Sequence, residues 1–145
     1  MDWKSEAVTK LKQYKAKCEA MRIIPLEIQQ INSSMDSIRS SDPEKIAVKG
    51  SGSGPEGKLL NCIMRKEELQ RNMERAKLWV ESVEKALAIL NGEERRILER
   101  FYIEEERGAA EDLADEMFLD RKTVYHRKDL ALWKFTTALY GFVGE

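Results

Sequence analysis

The chain has 145 residues, a formal net charge of −1, 35% charged residues and 42% hydrophobic residues, enough for one ordinary domain or a small domain with a helical extension. A pI near 6.0 excludes binding of nucleic acid through overall charge, so any such activity must come from a local basic surface. The opening MDWKSEAV carries no apolar leader and no run approaches the roughly 20 residues of a membrane span, so a cytoplasmic location without membrane contact is expected.

The first predicted element is a helix from about Trp3 to Arg39. Ala7, Leu11, Tyr14, Cys18 and Met21 alternate by four and three, the seam of a coiled coil, and Ile24, Ile28, Ile31, Met35 and Ile38 repeat it in a shifted phase. The shift falls beside Pro25, which lacks the amide that a helix interior needs. A kinked helix and two shorter helices both fit. Residues 40–58, dense in glycine, serine and proline, read as a linker. Gly57-Lys58 followed by Leu59 fails the phosphate-binding loop pattern, because leucine supplies no magnesium ligand and no strand precedes it.

Leu59 to Leu90 is the most regular stretch. Leu59, Cys62, Lys66, Leu69, Met73, Ala76, Val80, Val83, Leu87 and Leu90 alternate by three and four without a slip. Its apolar face predicts an antiparallel hairpin with the first helix, and assembly between chains satisfies the same pattern. Gly92 ends the helix, and Asn91 with Glu94 fits a capping box that starts another, burying Ile97, Leu98 and Phe101. Glu104-Glu105-Glu106 reads as a solvated turn.

From Ala109 to Lys128 two helices are joined by a tight turn, with Leu113, Ala114, Met117, Leu119 and Val124 as the internal face. Phe118 falls at the C′ position, where left-handed geometry favours glycine, and Ala109 at the start of the second helix offers no capping side chain. Asp120 is a good N-cap for the last helix. Charge is segregated. Glu93 to Asp120 holds eleven acids against four arginines, whereas Arg121 to Lys134 holds five cations against Asp129 alone.

Arg96-Ile97-Leu98-Glu99-Arg100-Phe101-Tyr102-Ile103, Leu113-Ala114, Asp120-Arg121-Lys122-Thr123-Val124-Tyr125 and Ala131-Leu132-Trp133-Lys134-Phe135 together resemble the promoter-reading C-terminal region of bacterial sigma factors. With the ending Phe135-Thr136-Thr137-Ala138-Leu139-Tyr140-Gly141, the chain resembles phage-encoded transcription regulators of the RinA and ArpU type. The resemblance covers the C-terminal third well and the preceding helix loosely. It implies a DNA-binding regulator of late phage genes in a bacterial host. The expected architecture is all-α: a helical hairpin over residues 1–90, then a sigma-like helix-turn-helix domain over 91–145.

On a helical wheel with Val124, Ala131 and Phe135 inward, Lys122, Tyr125, His126 and Asp129 point outward. Arg121 at the helix start suits a phosphate, and Arg127 and Lys128 flank the buried stripe. Base contacts at Lys122, Tyr125 and His126 follow from the resemblance. The expected DNA-binding set is Arg121, Lys122, Thr123, Tyr125, His126, Arg127 and Lys128. The alternative for this segment is a charged surface helix. Trp133 and Tyr140, seven residues apart on the outer side, are expected to pack on another surface, whether a second copy, the N-terminal helices or RNA polymerase. A tryptophan lying along Lys134 is the plainer reading.

Catalysis finds no support. The chain has one histidine, no nucleophile with a base at readable spacing and no glycine-rich cofactor loop in a βαβ setting. Asp112 with Asp115 fits chance surface placement, and His126 has no second ligand near it in sequence. Cys18 and Cys62 fit no metal pattern and read as free thiols in apolar seams. No enzyme, cofactor or metal is expected. Two functions remain: a sequence-specific reader of double-stranded DNA, and an interaction module that binds polymerase or another regulator without reading bases.

Overall fold

The computed structural model describes residues 2–40 and 54–144. Among them the regular structure is entirely helical. Helix α1 spans Trp3–Arg39, α2 Pro55–Ile89, α3 Gly92–Leu98, α4 Ala109–Met117 and α5 Arg121–Tyr140, with a π-helical turn, Glu99–Ile103, closing α3.

Local chemistry explains the helix ends. The Asp2 carboxylate accepts from the Lys4 and Ser5 amides at 3.1 and 3.3 Å, satisfying donors that the first turn of α1 leaves open. That helix then runs through Pro25 without a break. Of the two readings of this proline, separate short helices are therefore not what forms. Most of the expected linker, 41–53, lies outside the described residues. Its last part, Pro55–Lys58, belongs to α2 instead. Pro55 opens that helix, where its missing amide costs nothing and its fixed φ is already helical. At Asn91 the capping box is complete: the Asn91 side chain accepts from the Glu94 amide at 2.8 Å, and the Glu94 carboxylate accepts from the Asn91 amide at 3.0 Å.

The chain divides into two compact units, and the division does not fall at residue 90. One unit is Glu19–Lys77. Within it Ile31, Met35 and Ala76 are buried, and Glu27 meets Arg65 at 3.5 Å. Leu59, Cys62, Lys66, Leu69 and Met73 are only half-buried.

The other unit is Met1–Cys18 with Leu78–Glu145. Its larger core gathers Ala7 and Leu11 from α1, Val83, Ala86, Leu87 and Leu90 from α2, Leu98 from α3, and Ala131, Leu132 and Phe135 from α5. Phe135, wholly buried, anchors it, a contribution of about 1.5–3 kcal/mol for a side chain of this size. In this unit the two long helices run in opposite directions. Tyr14 donates to Glu84 at 2.6 Å, and one turn further along α1 the Lys17 ammonium lies over the Trp79 ring at 5.5 Å. Burial and the bond to Glu84 push the Tyr14 hydroxyl well above its usual pKa. The first turns of α1 thus complete the core beneath α5, and a boundary at residue 90 would cut through it.

Candidate nucleic-acid interface

A second, smaller core fixes the site. Ile97, Leu113, Ala114 and Val124 are buried together, with Phe101, Met117 and Leu119 packed around them. This is the internal face expected from sequence, extended by α3. Arg100, whose side chain is only 15% exposed, binds α3 to α4 from outside: it meets Glu106 at 2.5 Å, Asp112 at 3.4 Å and Glu116 at 3.8 Å. Glu116 also accepts both arms of Arg96, at 2.7 and 2.9 Å. The carboxyl of Glu116 is held below its usual range, chiefly by that hydrogen bond. Glu104, Glu105 and Glu106 are exposed in the turn after α3, as expected, with Glu106 meeting Arg100 and Glu105 meeting Lys12 at 3.6 Å.

The turn between α4 and α5 takes three residues, Phe118-Leu119-Asp120. Phe118 adopts φ 56° and ψ 43°, the left-handed conformation that favours glycine, and its ring is 94% exposed. The Ala114 carbonyl accepts from the Phe118 amide and from that of Leu119, the latter at 2.9 Å. Ala114 is buried there, as a close approach of two helices requires. At the other end of α4 the N-cap is Gly108, left-handed at φ 71° and without a side-chain bond. Ala109 is therefore the first helical residue, one past the cap position expected for it. Asp120 caps α5 by accepting from the Thr123 amide at 2.7 Å, and its bonds to Thr123 hold the carboxyl below the usual range.

The seven expected contact residues all lie on the first two turns of α5, but they are not equivalent. Lys122 and His126 are exposed, one helical turn apart, and neither has an ion-pair or hydrogen-bond partner among the described residues. Thr123 is half-buried. Arg121 meets Glu111 at 3.2 Å, and the neighbouring Tyr125 hydroxyl and the Glu111 charge raise its pKa. The Tyr125 ring stands edge-on to Phe101 at 5.7 Å, so part of its surface belongs to the core. Lys128 lies over the Phe101 and Tyr125 rings at 5.4 and 5.3 Å, reaches Asp129 at 3.4 Å, and leaves 18% of its side chain exposed. Arg127 is bound by Glu93.

Comparison with protein-family models, curated proteins and solved structures finds no match.

Trp133 and Tyr140, expected as one outward stripe, have different surroundings. Tyr140 is half-buried, its ring 4.6 Å from Trp3 and under Lys10 at 5.1 Å, so it closes the core against the start of α1. Burial raises its hydroxyl pKa, with the nearby Glu6 charge second. Trp133 remains 50% exposed, and Leu130, one turn earlier, is equally open. Sequence reasoning missed Glu93 and Glu111 as partners of Arg127 and Arg121. They lie 34 and 10 residues away in the chain, and no local spacing announces them. Among the described residues no helix is long and apolar enough to cross a membrane.

Proposed function

We propose that the protein is a sequence-specific DNA-binding transcription regulator, phage-encoded and acting on late phage genes as the resemblance implies. In this reading the two long helices form an antiparallel hairpin and residues 91–145 a sigma-like helix-turn-helix. The observation that carries the reading is the exposed pair Lys122 and His126 at the capped start of α5, on a helix whose opposite side is locked by Val124. A rigid helix presenting donors from its first two turns suits major-groove base edges, with phosphates positioned by Arg121, Arg127 and Lys128. The ion pair between Arg96 and Glu116 and the cage around Arg100 support it by fixing α4 under the reader. RNA polymerase is a natural further partner, and Trp133 with Leu130 is an open apolar surface for it or for a second copy.

One observation favours the second reading, a module that binds polymerase or another regulator without reading bases. The first turn of α4 carries Glu111 and Asp112, and both would face phosphate poorly if that helix crossed the backbone. Selection of bound sites from a random duplex pool separates the two. A recovered consensus, lost in the variant Lys122→Ala with His126→Ala, supports the reader. An unenriched pool together with a stable complex with polymerase supports the module.

A further inference from the structure

We infer that Glu93 and Glu111 are carboxylate latches on the reader, holding Arg127 and Arg121 in the free protein until a DNA phosphate takes their place. The inference rests on the DNA reading above and concerns how the affinity of that same surface is set. Of the five cations between Arg121 and Lys134, only Lys122 has no ion pair among the described residues. The two arginines nearest the exposed Lys122 and His126 each take a carboxylate from a different helix, Glu111 from α4 and Glu93 from α3. Both acids stand in the first turn of their helices, where the positive end of the dipole favours their charge. Phosphate and carboxylate compete for the same guanidinium donors. A DNA strand must therefore displace two carboxylates that stay close to it afterwards.

This arrangement lowers affinity for every sequence alike, because it acts on backbone contacts. It leaves Lys122 and His126 free to contact bases. The consequence is a lower set point for affinity: specific and unspecific duplex are weakened by the same factor while base preference is untouched. The pairs are partly exposed, with side chains 62% and 51% open for Arg121 and Glu111. Each latch should therefore change affinity by no more than about fivefold.

The test uses the full chain and a fluorescent mixed-sequence duplex of about 30 base pairs, titrated over a range of salt. Glu111→Gln and Glu93→Gln should each tighten binding about two- to fivefold, and the pair together about tenfold. The slope of log affinity against log salt should steepen by up to about two, close to one per carboxylate removed. Asp115→Asn is the control, since this exposed acid on α4 has no ion-pair partner among the described residues. It should change binding less than twofold. Equal gains from Asp115→Asn and Glu111→Gln would overturn the latch and leave only a general charge effect. Wild type that binds duplex, with a double glutamine variant that binds no better, overturns the latch and spares the DNA reading. Failure of both proteins to bind duplex at any salt overturns the two together.

Discussion

Phe118 is the residue at which local preference and solvation both oppose the observed state. A left-handed, nearly wholly exposed phenylalanine gains nothing from burial and strains its own backbone. Phe118→Gly is expected to stabilise the fold by about 1 kcal/mol, because glycine adopts this conformation without a Cβ penalty. Chemical denaturation measures it, and a destabilised glycine variant would show that the ring has a contact in the folded protein. Asp120 belongs to the same scale. Its folded pKa is depressed by Thr123, so its stabilising effect is present above the unfolded carboxylate pKa and is lost as pH falls through the folded value. Asp120→Ala should lower the melting temperature near neutrality; the gap should begin to narrow at about pH 4, the unfolded value for aspartate, and close as pH falls through the lower folded value. A gap unchanged at pH 2 would mean the cap acts through something other than its charge.

At the scale of elements, the seam of α2 makes the sharpest expectation. Val80 is buried and Leu78 is largely exposed on the same helix. Val80→Asp should cost several kcal/mol by placing an unpaired charge in the apolar core, whereas Leu78→Asp should leave thermal melting near wild type. Equal melting of the two variants would show that the seam is misassigned. The seam itself was legible from sequence, since a three-four alternation fixes which side of a helix is apolar whatever it packs against. The caps at Asn91 and Asp120 were legible for a similar reason: they need only the three residues that follow. Pro55 was not, because a proline reads equally as linker or as the first residue of a helix. The π-helical turn at Glu99–Ile103 left no sequence signal either. It is the shape α3 takes while Arg100 reaches Glu106, Asp112 and Glu116.

At the scale of the whole molecule, what sequence reasoning could not see was tertiary. It placed the seven expected contact residues on one helix and the exposed Trp133 beside them, because a wheel needs only spacing. It could not see that Arg121 and Arg127 are held by Glu111 and Glu93, and it left open which of three surfaces Tyr140 meets; the N-terminal helix is the one, at Trp3. Tyr140→Ala should accordingly destabilise the unit built from α1 and α5 by about 1–3 kcal/mol, the range for large-to-small changes short of full burial. Trp133→Ala should leave melting near wild type and act, if at all, on assembly or on binding of a protein partner. A Trp133→Ala variant as destabilised as Tyr140→Ala would place the indole in a core rather than on an open surface.

The measurement that bears most directly on the proposed DNA reading is base discrimination by α5. Once a site has been selected from random duplex, wild type, Lys122→Ala and His126→Ala are titrated against it and against single-base variants. Each substitution should remove about 1–3 kcal/mol of preference at one or two positions, while leaving affinity for mixed-sequence duplex nearly unchanged. Preference retained at every position in both variants would contradict the account and move recognition off this helix.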